Sequence, residues 1–172
     1  MIFIHITNFF RDPAKILTLS AIVSLVMTIL HAFFCFEMYD DVASAYAPAI
    51  RELGRLNWSD GLPLDIPPLQ PFIAGLLAIA GVEAFTAAII VSGLLYAATI
   101  WPLYGFMSFL TDKKLAAWGC LMYVMAPKVI RYGCSGMLNS GKNFFIALTI
   151  YAIFGCVKTD RKHWFVLLGV AM

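Results

Sequence analysis

Charged residues are scarce in this sequence. Asp, Glu, Lys and Arg make up 13% of its 172 residues, about half of the roughly 25% that is usual in soluble domains. The formal net charge is +2, and the basic residues are scattered between apolar runs. No continuous basic face is therefore available to follow a nucleic-acid backbone. These shortages argue against a soluble domain and against nucleic acid as a partner.

Several short motifs are also absent. The four cysteines include no C-x-x-C pair, so neither a zinc site nor a disulfide framework is indicated. Neither G-x-x-x-x-G-K-[ST] nor G-x-G-x-x-G occurs, which argues against nucleotide binding.

Apolar residues, in contrast, make up 62% of the chain, and the mean hydropathy is +0.85. They are gathered into long runs without charge, and a helix needs about 20 such residues to cross a bilayer. The sequence predicts an all-α fold of polytopic transmembrane helices. The predicted membrane helices cover residues 16–36, 84–110, 115–130 and 139–157, with the start of a further one at 164–172.

A long polar segment, residues 37–82, separates the first two of these helices and is predicted to be an external loop. Residues 37–65 hold six acids and two bases. Apolar residues at helical spacing predict a short amphipathic helix on the membrane interface: Val42, Tyr46, Ala49, Ile50 and Leu53, with Gly54 as its stop.

Prolines limit the last part of this loop. Pro67, Pro68 and Pro71 leave only residues 72–82 free of proline, or about 16 Å of helix, half of a bilayer core. We therefore predict a juxtamembrane or re-entrant helix that does not cross the membrane.

The basic residues give an orientation. If the helix that follows these prolines does not cross the membrane, seven basic residues lie on the side of the amino terminus and five on the other side. If that helix crossed, the numbers would be reversed. Because basic loops stay inside, we predict a cytoplasmic amino terminus in the plasma (inner) membrane. One external face then carries the candidate site residues Asp40, Asp41, Asp65, Lys128, Arg131 and Lys142.

The order of several motifs carries a family resemblance over roughly residues 16–154. These motifs are Asp40-Asp41, the run from Tyr46 to Leu53, Asp65-Ile66-Pro67-Pro68-Leu69 and Trp101-Pro102-Leu103-Tyr104. The chain resembles membrane glycosyltransferases of the dolichyl/polyprenyl-phosphate-mannose protein mannosyltransferase and aminoarabinose transferase superfamily. The resemblance implies a GT-C type module with juxtamembrane helices in a long first external loop, and a sugar donor carried on polyprenyl phosphate.

The resemblance also suggests roles. The family's catalytic acid lies early in the first loop, where Asp41 or its neighbour Asp40 matches it. Relatives of the aminoarabinose type carry Glu-Lys where this chain has Asp65-Ile66, and many relatives have an acid in place of Asn139. Asp65 and Asn139 are thus candidates to position the acceptor.

The proposed chemistry needs a carboxylate to take a proton and cations to bind the phosphate. Arg131, Lys128 and Lys142 are the candidate cations. Asp65 could ligate a divalent metal, although one carboxylate is not a metal site by itself; no other cofactor is indicated. The expected partners are membrane lipid, a polyprenyl-phosphate-linked sugar and an acceptor of unknown kind.

Two alternatives stay open at this point: a transporter or flippase fragment, and a non-catalytic membrane subunit. A transporter should carry ionisable groups within its membrane helices, whereas the apolar runs contain almost none apart from His31. The last apolar run stops after nine residues at Met172. We therefore expect an amino-terminal fragment that is inactive alone.

Overall fold

The computed structural model describes residues 11–34, 42–61, 69–159 and 161–171. Every regular element in this part of the chain is helical. A π-helical turn at Val42–Tyr46 lies between the first two α-helices. The α-helices are α1 (Pro13–Phe34), α2 (Ala47–Gly54), α3 (Trp58–Gly61), α4 (Leu69–Ile79), α5 (Ala84–Ala98), α6 (Ile100–Leu110), α7 (Lys113–Met125), α8 (Pro127–Gly133), α9 (Asn139–Thr159) and α10 (Lys162–Ala171). The predicted all-α class is confirmed.

Among the residues that the structure describes, three segments are long and apolar enough to cross a membrane: Pro13–Phe34, Ala84–Leu110 and Asn139–Thr159. The middle one joins α5 to α6 through Thr99, whose φ of −59° and ψ of −25° remain helical. Pro102 cannot donate a backbone hydrogen bond to the preceding turn, which accounts for the interruption near Thr99.

The long helices lie side by side, and their contacts give their directions. Thr28, late in α1, packs against Gly93 of α5, whereas Ile16, early in α1, shares a buried cluster with Ile100 of α6. α1 is thus antiparallel to α5 and α6.

α7 and α9 continue this alternation. In α7, Val124 accepts a hydrogen bond from the Tyr96 hydroxyl of α5. Earlier in α7, the Cys120 thiol donates to the carbonyl of Ile100, 3.7 Å away. α7 therefore runs antiparallel to α5 and α6. α9 runs parallel to them. Near the start of α9, Ser140 contacts Ser92 of α5, and near the end of α9, Phe154 packs on Phe106 of α6.

The bundle therefore has two distinct ends. We call them the Glu83 end, where α5 and α9 begin, and the Asp112 end, where α6 and α9 finish. The basic residues divide unequally between them. At the Asp112 end lie Arg11, Lys15, Lys113, Lys114, Lys158, Arg161 and Lys162, and at the Glu83 end lie Arg51, Arg55, Lys128, Arg131 and Lys142.

α4 lies along only the first part of α5. Ala74 shares a buried cluster with Ala84, Ala88 and Val91. The eleven residues of α4 give a helix of about 16 Å, so it does not reach the Asp112 end. This packing agrees with a helix that stays on one side, and that it does not cross the membrane remains a prediction.

The amphipathic helix predicted after Val42 corresponds to the π-helical turn and α2. Val42, Ala49, Ile50 and Leu53 are buried. Leu53 packs against Gly75 of α4, so neighbouring helices rather than lipid cover much of the apolar face.

The segment predicted as one helix over 115–130 is instead divided. α7 ends at Met125, Ala126 is extended with a ψ of 122°, and Pro127 opens α8. Proline disfavours helical geometry in the residue before it and removes a backbone donor. The continuous helix predicted here was therefore wrong, and the break turns Lys128 into a residue of the first turn of α8.

The contact between α1 and α5 gives a testable prediction. A Cβ atom on Gly93 would lie 2.1 Å from Cγ2 of Thr28, and the Thr28 hydroxyl is already bonded to the carbonyl of Ser24 at 2.8 Å. We expect Gly93→Ala to lower the free energy of unfolding by about 1–2 kcal/mol, because overpacking outweighs the gain in helix propensity. Unfolding in detergent would measure this difference.

Gly169→Ala is the matched control, because no atom lies within 4 Å of the added methyl group. Adding Thr28→Ala to Gly93→Ala should restore part of the lost stability. A Gly93→Ala protein as stable as the wild type would contradict the close packing of α1 on α5.

Candidate functional site

An open groove of about 340 Å³ lies at the Glu83 end, between α8 and the start of α9. Its lining residues are Lys128, Val129, Tyr132, Asn139 and Asn143. The groove brings together Lys128 and Asn139, which were both predicted as site residues. It is therefore the candidate functional site in the described part of the chain.

The local sequence explains how these side chains come to share one groove. Pro127 starts α8, and Tyr132 follows Lys128 by about one turn. Asn139 starts α9, and Asn143 follows it by the same spacing. Residues four apart lie on one face of a helix, so each helix presents two polar side chains to the groove.

The groove favours an anion. Lys128 is exposed, and within the described ranges it has no hydrogen-bond or ion-pair partner. The amide of Lys142 bonds to the carbonyl of Leu138 at 3.0 Å, so residues 139–141 form the first turn of α9. Amides in a first turn have no partner within the helix and carry a partial positive charge. A phosphate bound here would meet both positive features.

The other predicted cations are placed differently. Arg131 lies exposed on α8, and Lys142 lies exposed directly after the first turn of α9. Neither side chain lines the groove, although both belong to the elements that form it. Their predicted contact with a phosphate remains a prediction.

The predicted acids lie outside the described residues. This applies to Asp40, Asp41 and Asp65, so their proposed roles remain predictions. Within the described ranges, no group of three or more His, Cys, Asp or Glu side chains could hold a metal ion.

Sequence reasoning missed Tyr132 and Asn143. The four-residue spacing from Lys128 and Asn139 is the signal that could have identified them. Asn143 also lies beside Tyr123 of α7, so this wall of the groove is next to the bundle.

A second groove, of about 300 Å³, lies between α2 and the start of α5. Its two arginines are both engaged with carboxylates: Arg51 lies 3.4 Å from Glu83, and Arg55 lies 2.8 Å from Glu52. Because these charges are already paired, this groove attracts an anion less than the Lys128 groove does.

Glu83 in this second groove also caps α5. Desolvation acts to raise its pKa, but hydrogen bonds from the amides of Thr86 and Phe85 and the contact with Arg51 outweigh it, so the pKa is lowered. These contacts favour the ionised form. They therefore stabilise the fold above the ordinary pKa of 4.5 and are lost as the pH falls through the lower folded value.

Comparison with known families identifies part of the chain. No curated protein and no solved structure matches the chain significantly. The family described as dolichyl-phosphate-mannose-protein mannosyltransferase matches residues 65–172, which is more than half of the chain and includes both α8 and α9. The resemblance noted in the sequence is confirmed. The chain therefore belongs to the dolichyl-phosphate-mannose-protein mannosyltransferase family, whose members are membrane glycosyltransferases of the GT-C type.

Proposed function

We propose that this protein transfers a sugar from a polyprenyl-phosphate donor to an acceptor on the external face of the membrane. The protein then lies in the plasma (inner) membrane, with its amino terminus in the cytoplasm. The Asp112 end, which carries seven of the twelve basic residues, faces the cytoplasm, in keeping with the usual distribution of positive charge.

The observation that carries this proposal is the groove at the Glu83 end. It combines Lys128, which has no partner among the described residues, with the amino-terminal turn of α9, and such an arrangement suits a phosphate. The same end carries α2 and α4, which belong to the segment where the family's catalytic acid is expected. The catalytic acid and the binding site for the donor phosphate would thus lie on the same side of the membrane.

The proposed reaction is a single displacement with inversion. The acceptor hydroxyl oxygen forms a bond to the anomeric carbon while the bond from that carbon to the phosphate oxygen breaks. Asp41 or Asp40 takes the hydroxyl proton as general base, and polyprenyl phosphate leaves with the bonding electron pair. Lys128 stabilises the charge that develops on the phosphate.

The remaining site residues have supporting roles in this proposal. Arg131 can bind phosphate oxygens with two parallel N–H groups, and Lys142 adds a second ammonium group at the start of α9. Asn139 can orient the acceptor hydroxyl, but its amide cannot take the proton. Asp65 positions the acceptor or ligates a divalent metal.

A transfer assay with the full-length protein tests the proposal. Purified protein in lipid is given mannose on polyprenyl phosphate or, in parallel, mannose on a nucleotide, together with membrane extract as the acceptor source. We expect labelled product from the lipid-linked donor only. Movement of the donor across the bilayer without transfer would instead support a flippase.

A further inference from the structure

A small polar cluster lies buried beneath the candidate groove. It consists of Gln70 in α4, Ser92 in α5 and Ser140 in α9, which are 7%, 0% and 1% exposed. The cluster also includes the carbonyl groups of Gly133 and Met137. These groups join α4, in the predicted external loop 37–82, and α5 to the segment between α8 and α9. Most residues around them are apolar.

The hydrogen bonds in this cluster join three helices to one short segment. The Gln70 Nε2 donates to the Met137 carbonyl at 3.0 Å, and the Ser92 hydroxyl donates to the Gly133 carbonyl at 2.7 Å. The hydroxyls of Ser92 and Ser140 lie 2.9 Å apart. Because buried polar groups are costly to leave unpaired, these bonds hold residues 133–141 against α4 and α5.

From this arrangement we infer that Gln70 is a positioning residue, which holds the backbone beside the Lys128 groove against α4. Met137 is two residues before Asn139, which lines the groove. Gln70 is five residues after Asp65. A single side chain therefore connects the backbone next to the groove with the helix that follows the Pro-Pro-Leu motif.

Gly141 completes this contact. A Cβ atom on Gly141 would lie 2.8 Å from the Gln70 Oε1, so any side chain there would push against the amide. The Oε1 is buried and has no hydrogen-bond partner among the described residues. It lies next to the first turn of α9, whose positive partial charge favours a carbonyl oxygen. Gln70 thus fits a space that only glycine at position 141 leaves open.

The reactivity of Cys134 tests whether Gln70 holds this segment. Cys134 is 0% exposed, lies between Gly133 and Met137, and contacts the Thr28 hydroxyl at 3.5 Å. We expect Gln70→Met to speed alkylation of Cys134 by iodoacetamide about tenfold, because losing the bond lets the segment open locally. Peptide mass spectrometry would follow the reaction in the full-length protein.

Cys120 is the internal control, because it is also 0% exposed but lies in α7. Its alkylation should not change, and neither should that of Cys134 in a Ser20→Ala protein, where the lost buried hydroxyl bonds only within α1. Gly141→Ala should reproduce the effect of Gln70→Met. An unchanged rate at Cys134, or equal acceleration at both thiols in both variants, would overturn the inference.

The consequence for catalysis rests on the proposed function. With donor at saturation, we expect Gln70→Met to lower kcat about 10- to 100-fold, because small misplacements of reacting groups are costly. The KM for the donor should change less than kcat, because Lys128 lies at the start of α8, outside residues 133–141. An unchanged kcat together with a faster reaction at Cys134 would exclude a positioning role. A wild-type protein without transfer activity would refute the proposed function, whereas the Cys134 rates would still decide whether Gln70 holds the segment.

Discussion

Replacing Asp40 and Asp41 together by asparagine is expected to lower the rate of sugar transfer by about 10²–10⁴-fold, the usual contribution of a general base. Asparagine keeps the size of each side chain but cannot accept the proton of the acceptor hydroxyl. Because the donor phosphate is proposed to bind in the Lys128 groove, the KM for the polyprenyl-phosphate sugar should remain close to that of the wild type. Initial rates at saturating donor would measure the loss.

Asp60→Asn provides a matched control in the same acidic segment. Asp60 is exposed and accepts a hydrogen bond from the Asn57 side chain at 2.8 Å, so its replacement should leave transfer intact. The two single variants, Asp40→Asn and Asp41→Asn, would show which carboxylate acts as the base. Wild-type turnover in the double variant would remove both acids from the proposed mechanism.

Replacing Lys128 by glutamine should weaken binding of polyprenyl phosphate by about 10- to 100-fold, the loss typical of a hydrogen bond to a charged group. Lys128 is unpaired among the described residues and lines the groove at the start of α8, so no local carboxylate has to be released first. The affinity of the wild type should also fall as salt is added, because the site is open to solvent. A titration with the sugar-free lipid would measure both effects.

Lys114→Gln is the control for this change of charge. Lys114 is exposed at the Asp112 end, far from the groove, and its loss should not alter the affinity. If Lys114→Gln and Lys128→Gln weakened binding equally, the lysines would act through the net charge of the protein, and the groove would not be the phosphate site.

The helical architecture could be predicted because its main cause is local. Long runs without charge demand helices in a membrane, and the segments 84–110 and 139–157 correspond closely to Ala84–Leu110 and Asn139–Thr159. Leu53 and its apolar neighbours also marked α2 by their spacing. In these segments, hydrophobic pattern and final structure follow from the same residues.

The break between α7 and α8 shows where this reasoning fails. Leu115 to Ile130 is almost uniformly apolar, and its length predicts one helix, but Pro127 interrupts it. The local rule for the residue before proline decides the structure at Ala126. Applying that rule would have placed Lys128 at a helix start, where it now lines the groove.

Other parts of the site depend on contacts between distant residues. The bond from Gln70 to Met137 joins positions 67 residues apart, and no spacing within one helix indicates such a partner. Tyr132 and Asn143 each lie four residues after a predicted site residue, Lys128 and Asn139 respectively, and this spacing is a local signal. The groove itself forms only because α8 and α9 pack together.

The central claim is that the acidic segment and the Lys128 groove lie on the same side of the membrane. Single cysteines at Ser59, Lys128 and Lys114, in a full-length protein without its native cysteines, can be labelled in intact cells with a maleimide that does not cross membranes. We predict that the cysteines at positions 59 and 128 react from outside, while the one at position 114 reacts only after the membrane is opened. Labelling of positions 59 and 128 from opposite sides would contradict it.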